Sequence, residues 1–303
     1  MTAVHHTARR PVVLDDVPGW FPPLDQLLFT WFLEGQARQG VHGDLLELGV
    51  YLGKSAVLLG HHLQDSEKFT VCDLFEGDAP DDANRAEATK SYGSLTRRAF
   101  EENYLAFHDG LPKVVQGPSS VITTEVAPRT CRFMHIDASH LYEHVYGDIT
   151  AARELLGPSG IVVLDDFRSE HTPGVSVAAW EAVLNRGLRP LCLSTQKLYA
   201  TWADPEPLQE ELLAMLRDRD DITLSVQEAA GHRLIRTKSK GVRPPAFPHS
   251  RHQSDPTDQA EVPPRAPEQV PTPTRPAPRS RTRRLAADLL PPVVTRAIRR
   301  ARG

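Results

Sequence analysis

The stretch Leu45-Leu46-Glu47-Leu48-Gly49-Val50-Tyr51-Leu52-Gly53-Lys54-Ser55 decides how this chain folds. An apolar run carries Glu47 near its end, Gly49 and Gly53 follow, and a helical pattern starts at Ser55. Such a pattern reads as a buried strand that turns sharply into a helix. Glycine lets backbone come close to a ligand at that turn, and the helix start offers unpaired N–H groups. A dinucleotide fingerprint requires G-x-G-x-x-G, and Val50-Tyr51 interrupts it. A phosphate-binding P-loop needs about four residues between its first glycine and Gly-Lys-Ser, whereas only Val50, Tyr51 and Leu52 stand there. What fits without an edit is acidic-x-Gly-x-x-x-Gly.

Outward from this turn the chain alternates strand and helix. Leu24 to Leu33 place apolar residues at helical spacing over 22–39, ahead of the sheet. With Trp20 and Phe21 before it, that helix either caps a substrate pocket or covers one end of the sheet. Downstream, Phe69-Thr70-Val71-Cys72 ends in Asp73, Val114-Val115 precedes Gly117-Pro118-Ser119-Ser120, and Arg132–Ile136 ends in Asp137. Helices are expected over 95–107 and 141–156, the second stopped by Gly157-Pro158-Ser159-Gly160. Ile161–Leu164 is the most apolar strand and ends in Asp165-Asp166. Near-continuous apolar strands between helices imply a parallel sheet covered on both faces, with ligands at the carboxyl ends of its strands. Between strand two and the next helix, Phe75 to Gly93 is polar and aperiodic, the length of a lid or binding loop. Beyond Asp166 the pattern predicts a helix over 174–185, strands over 188–195 and 198–201, and a helix over 207–217. A closing antiparallel hairpin at 222–226 and 232–236 ends the domain near Lys240.

Charge divides the 303 residues into two regions. From Lys240 onward there are 13 Lys and Arg against 5 acidic residues, together with 13 of the 26 prolines. The preceding body holds 22 against 34. The body therefore reads as an acidic globule, which argues against nucleic acid as its partner. The tail reads as a disordered basic appendage; attachment to an anionic membrane or a partner through Leu285–Ile298 is its second reading. Cys72, Cys131 and Cys192 have no paired spacing and read as reduced thiols of a cytoplasmic protein. No apolar stretch reaches the roughly 18 residues of a spanning helix.

Several polar residues carry chemistry. Asp73, beside the glycine loop, is placed to accept hydrogen bonds from a ribose diol; the plainer alternative is a turn-forming aspartate. Asp137, Asp165 and Asp166 end two successive strands, and such oxygen-rich clusters hold Mg²⁺ or Ca²⁺. A bound cation would lower the pKa of a substrate hydroxyl; otherwise these residues cap turns. His140 is suited to take a proton from that hydroxyl, or serves as a structural residue at a helix start. Tyr142, His171, Lys90 and Tyr92 are further pocket candidates. Two other patterns compete. His140-Leu141-Tyr142-Glu143-His144 spells the H-x-x-E-H of a zinc peptidase. Ile161–Asp166 matches the strand-plus-aspartate that holds Mg²⁺ in nucleotide hydrolases, but the P-loop it needs is missing.

Taken together, ELGVYLGKS, VCDLFEG, QGPSS, HIDASHLYEHVYGDI and LGPSGIVVLDDF resemble the class I S-adenosylmethionine (SAM)-dependent methyltransferases. Among these the chain is most similar to the small-molecule O-methyltransferases that include macrocin-type sugar methyltransferases. The resemblance covers about Asp44 to Thr201. It implies a Rossmann-like, doubly wound, seven-stranded α/β sheet of order 3-2-1-4-5-7-6 with the seventh strand antiparallel. It also implies that Glu47, Gly49 and Gly53 contact the methionine end of SAM, that Asp73 holds the ribose, and that Ser119 lies by the adenine. Asp137, Asp165 and Asp166 match the divalent-metal ligands of metal-dependent members. Many relatives read D-G-D-H where this chain has Asp137-Ala138-Ser139-His140, so one candidate base is absent and the weight shifts to His140.

The sequence thus predicts an irregular segment and cap helix over 1–40, a methyltransferase domain over 41–239 and the tail over 240–303. The expected reaction is O-methylation of a hydroxylated small molecule, a sugar or secondary metabolite. His140 or Asp137 would help remove the proton, a bound Mg²⁺ could assist, and a homo-oligomer is compatible with the sequence. A zinc peptidase and a non-catalytic SAM- or nucleotide-binding regulator are the competing functions.

Overall fold

Alternation along the strands sorts the apolar side chains into two layers. Leu45, Val71, Phe133, Ile161 and Val163 face one core, while Leu46, Leu48, Met134, Val162 and Leu164 face the other. A sheet buried on both faces needs helices on both, and the chain supplies them. The structure is a computed structural model and describes residues 10–85 and 95–253. Lys90, Tyr92 and the tail from 254 onward lie outside the described residues.

Helices α1 (Pro23–Arg38), α2 (Lys54–His61), α3 (Arg97–Phe107) and α7 (Glu206–Leu216) cover the first face. On the second lie α4 (Ile122–Glu125), α5 (Tyr142–Leu155) and α6 (Pro173–Asn185). Between them run β1 (Asp44–Leu48), β2 (Phe69–Asp73), β3 (Lys113–Gln116), β4 (Cys131–Ile136), β5 (Leu156–Leu164), β6 (Arg189–Leu193) and β7 (Leu198–Thr201). A hairpin of β8 (Ile222–Ala229) and β9 (His232–Ser239) follows. The sheet order is β3-β2-β1-β4-β5-β7-β6-β9-β8, with β7 antiparallel to both its neighbours. The expected seven-strand order is present, and the hairpin extends it to nine strands. β9 joins the β6 edge at Leu193↔Arg236, and Thr237 Oγ1 donates to the Leu193 carbonyl at 2.9 Å. An edge that would otherwise expose unpaired backbone is thereby covered.

Two further details differ from the sequence reading. Gly157-Pro158-Ser159-Gly160 does not separate α5 from the next strand. It forms a bulge within β5, because Leu156 pairs with Cys131 while Ile161 pairs with Phe133. Chain beyond Lys240 also keeps packing on the body. Phe247 meets His61 and Phe107, and Ser250 Oγ donates to the Pro11 carbonyl at 2.6 Å. As for α1, its body covers the sheet through Phe29 and Phe32 against Phe133 and Tyr199, while its first residue, Pro23, and those leading into it reach the cleft.

At the carboxyl edge the ladder runs one residue past the strands. Gly49 N donates to the Cys72 carbonyl at 2.8 Å, Asp137 N to Leu48 at 2.7 Å and Asp165 N to Ile136 at 2.9 Å. The backbone after β1 is thereby drawn against the backbone after β4. A Cβ on Gly49 would lie 2.0 Å from the Asp137 carbonyl oxygen, and its φ is +77°. Here glycine admits the chain's own backbone. Gly49→Ala is therefore expected to lose roughly 3 kcal/mol or more, from left-handed strain and overpacking together. That is a fall in Tm of about 10 °C for a domain of this size. A variant melting within about 2 °C of the parent would show that the edge has slack.

Candidate active site

The loops after β1, β2, β3, β4 and β5 surround a cavity of about 1720 Å³. Gly49, Asp73, Ser119, Asp137, His140, Asp165 and Asp166 all line it, as do Tyr142 and His171. Glu47 and Gly53 lie behind its wall.

Asp73 ties the loops together. Its Oδ2 accepts from Val50 N at 2.8 Å and Tyr51 N at 3.1 Å, and its Oδ1 accepts from Phe75 N at 2.7 Å. Tyr51 (φ +47°) and Phe75 (φ +50°) are both left-handed, a strained state for side chains of that size. Burial pushes the Asp73 carboxyl above its ordinary value, against the amide bonds that pull it down. Behind the loop, Glu47 Oε1 accepts from Ser55 Oγ at 2.5 Å and meets His135 Nδ1 at 2.7 Å, while its Oε2 is buried without a partner. At the far end of the cleft Ser119 bonds Asp148 of α5, whose Oδ2 is also buried without a partner.

The three aspartates read as metal ligands divide into two groups. Asp165 turns inward, where its Oδ2 is paired with the ammonium of Lys197 and lies 3.8 Å from His135 Nε2. Asp166, left-handed at φ +52°, turns outward. Its Oδ2 sits 3.1 Å from His140 Nε2, and Ser169 Oγ donates to its Oδ1. Among the described residues, ligand atoms within 4.8 Å of one another belong to His135–Asp137–Asp165 or Asp137–His140–Asp166. The set Asp137–Asp165–Asp166 is not brought together. A divalent ion on Asp165, about 4 Å from an ammonium, would meet repulsion of order 8 kcal/mol at an effective dielectric near 20. The residues present do not fit Mg²⁺ on the three aspartates.

The electrostatics follow the same division. Burial works against the charge on Asp165, but the Lys197 ammonium leads the interactions that outweigh it and pull the carboxyl down to about 2. Burial and then the Asp165 charge hold Asp137 well above the ordinary carboxyl value. For Asp166 burial opposes ionisation, and the contacts with His140 and Ser169 outweigh it and hold the carboxyl below its usual value.

The peptidase pattern loses its geometric premise. α5 starts at Tyr142, so His140 precedes the helix. His144 faces Ser139 Oγ at 2.9 Å and Asp81 Oδ2 at 3.0 Å, while His140 faces Asp166. The two histidines do not converge.

Residues 46–167 match a family model described as a methyltransferase domain. That range spans the glycine loop, Asp73, Asp137, His140, Asp165 and Asp166, on a sheet of the order expected for class I. Over those residues the chain is similar to that methyltransferase family. No curated protein matches it. Among solved structures, the O-methyltransferase NovP is 17% identical, with 59% of this chain and 81% of that one covered and a TM-score of 0.47. CalS11, described as a TDP-rhamnose 3'-O-methyltransferase of calicheamicin biosynthesis, is 17% identical over 61% and 82%, at 0.40. TomG from Streptomyces achromogenes, in complex with SAM, is 17% identical over 71% and 77%, at 0.34. These likenesses are too distant to carry residue roles, which rest on this chain's own geometry.

The site holds functional candidates that the sequence did not single out. Lys197 stands alone between two apolar strands, and nothing in the pattern marks it as buried. His135 had a signal: it lies two residues before Asp137 as Glu47 lies two before Gly49, and the two strands pair them directly. Asp148 sits on the buried stripe of α5, where a carboxylate is out of place.

Burial raises the Asp148 carboxyl from 3.8 to about 6. A raised acid favours the folded state fully below its unfolded pKa, and that contribution is lost as pH climbs through the folded value. Asp148→Asn should therefore stabilise the domain at pH 8, by up to about 3 kcal/mol, and change little at pH 4. Equal stabilisation at both pH values, by thermal melts, would remove titration of Asp148 as the cause.

Proposed function

We propose that this domain is an S-adenosylmethionine-dependent methyltransferase acting on a hydroxyl of a small molecule, with His140 as proton acceptor. One observation carries it. A single cleft exposes the Asp73-tied glycine loop and the His140–Asp166 pair together, with a partnerless acid oxygen on Asp148 of its lining and another on Glu47 behind it. A nucleoside cofactor with an amino group at each extremity would supply the donors that such acceptors lack.

Residue by residue, Glu47 Oε2 would accept from the amino group of the methionine end, beneath Gly49 and Gly53. Asp73 has lone pairs beyond those given to the three amides, and these would take the ribose hydroxyls. Ser119 would lie by the adenine, and Asp148 Oδ2 would accept from its exocyclic amine. Bound there, S-adenosylmethionine supplies a methyl group on a sulfonium, which an acceptor oxygen takes as the carbon–sulfur bond breaks. His140 receives the acceptor's proton, and Asp166 stabilises the imidazolium so formed. Asp137, held above the ordinary carboxyl range, serves as a hydrogen-bond partner for the acceptor and not as its base. Trp20, 75% exposed and tilted over Tyr51 at 5.6 Å, offers the acceptor an apolar face at the mouth of the cleft. Much of the rate would come from holding the two reactants aligned. No step is assigned to a metal.

Calorimetry with SAM is expected to show saturable binding that Asp73→Ala weakens at least about 100-fold, roughly 3 kcal/mol. His140→Ala should keep that binding and lose about 10²–10⁴-fold in turnover across a panel of hydroxylated small molecules. A parent protein that does not bind SAM would end the proposal. Turnover that survives His140→Ala would move the base elsewhere.

A further inference from the structure

Lys197 is the least expected residue of the site. It closes the turn between β6 and β7: Ser194 N donates to its carbonyl at 3.0 Å, and its own N–H donates to Ser194 Oγ at 3.0 Å. The turn drives the side chain under the carboxyl edge of the sheet, where it is 1% exposed. There the ammonium donates to Asp165 Oδ2 and reaches His135 Nε2 at 3.3 Å. An imidazole that accepts at Nε2 carries its proton on Nδ1, and that nitrogen faces Glu47 Oε1 at 2.7 Å. Donor and acceptor directions therefore agree along the whole line from Ser55 through Glu47, His135 and Lys197 to Asp165. Asp137, the neighbour of Asp165, looks into the cleft.

A divalent ion in an aspartate cluster does two things: it offsets repulsion among the carboxylates and it fixes their orientation. Both are already done here from beneath. We propose that Lys197 is the resident cation of this site, holding Asp165 in the role a divalent metal would otherwise fill, so that the site recruits no divalent ion through Asp165. In a buried cluster an ammonium and a divalent ion compete for the same carboxylate, and the ammonium is covalently attached. Lys197 is thus a positioning residue, acting on the cleft through Asp165 and Asp137. The link to methyl transfer rests on the function proposed above; the competition between lysine and metal does not.

Mn²⁺ is a suitable probe, with free ion counted by electron paramagnetic resonance in titrations of the full chain. Asp165→Asn is expected to leave the Mn²⁺ affinity of the parent unchanged. Lys197→Met removes the charge while keeping an apolar stem, and should gain a Mn²⁺ site at least tenfold tighter than any in the parent. That gain should vanish in Lys197→Met/Asp165→Asn. A parent site that Asp165→Asn weakens tenfold would overturn the proposal, and so would a folded Lys197→Met that gains nothing. Should the single variants fail to fold, the neutral double variant decides against the parent: equal affinity supports the proposal, and a parent tenfold tighter overturns it. SAM calorimetry on the same parent sample keeps the two readings apart, since loss of SAM binding would leave the Mn²⁺ result standing.

Discussion

The carboxylate of Asp73 holds the cleft open in one shape. It accepts from three backbone amides in two different loops, those of Val50, Tyr51 and Phe75. Two of those residues are left-handed, a conformation that costs about 1–3 kcal/mol each unless the surroundings impose it. Charge-assisted bonds to amide N–H are among the stronger hydrogen bonds available, so one side chain can offset that strain at both positions. The glycine loop is pinned from the opposite side as well, because Gly49 lies against the Asp137 carbonyl. Between these contacts the loop after β1 has almost no freedom, and the elements on either side of it inherit their positions.

Beneath that edge lies a buried polar line, Ser55–Glu47–His135–Lys197–Asp165, beside the aromatic and aliphatic side chains of the first core. Buried ion pairs rarely add net stability over apolar side chains of the same volume. Their use is directional: Ser55 and Lys197 donate, Glu47 and Asp165 accept, and His135 does one at each ring nitrogen. Glu47 ties β1 to β4 through His135, and Lys197 ties β7 to both β4 and β5 through His135 and Asp165. Neighbouring strands are thus locked in register at the end where the cleft opens, where the ladder of backbone hydrogen bonds runs out.

Much of this was legible in the sequence, and for physical reasons. Strands buried on both faces leave long apolar runs, and the acids at their ends mark the carboxyl edge; Asp73, Asp137, Asp165 and His140 all reach the cleft for that reason. Lys197 and Asp148 left no such trace. A charged residue looks the same in a sequence whether it is solvated or paired inside a core, and its partner is set by tertiary packing across distant segments. The β5 bulge was hidden for a related reason. Gly157-Pro158-Ser159-Gly160 has the composition of a turn, and only pairing with β4 shows that the strand begins before it. The hairpin was visible in the sequence, but its docking on the β6 edge, at Leu193↔Arg236, is a tertiary pairing that no local pattern encodes.

Asp165 and Asp166 are adjacent in the chain and both border the cleft, yet their carboxylates take different partners. In an extended strand successive side chains alternate across the sheet, but the strand ends at Leu164 and Asp166 adopts φ +52°. That left-handed step swings its carboxylate to Ser169 and to His140 of the cleft, while Asp165 stays pointed beneath the edge at Lys197. Asp165 also accepts from the Asp166 amide at 2.7 Å, which holds the turn that separates them. A pair of acids that looks like one metal-binding unit in the sequence is therefore split by a single backbone angle. One carboxylate is spent on structure and the other on orienting an imidazole. For that reason the spacing of acids along a chain is a weaker guide to a metal site than the backbone conformation between them.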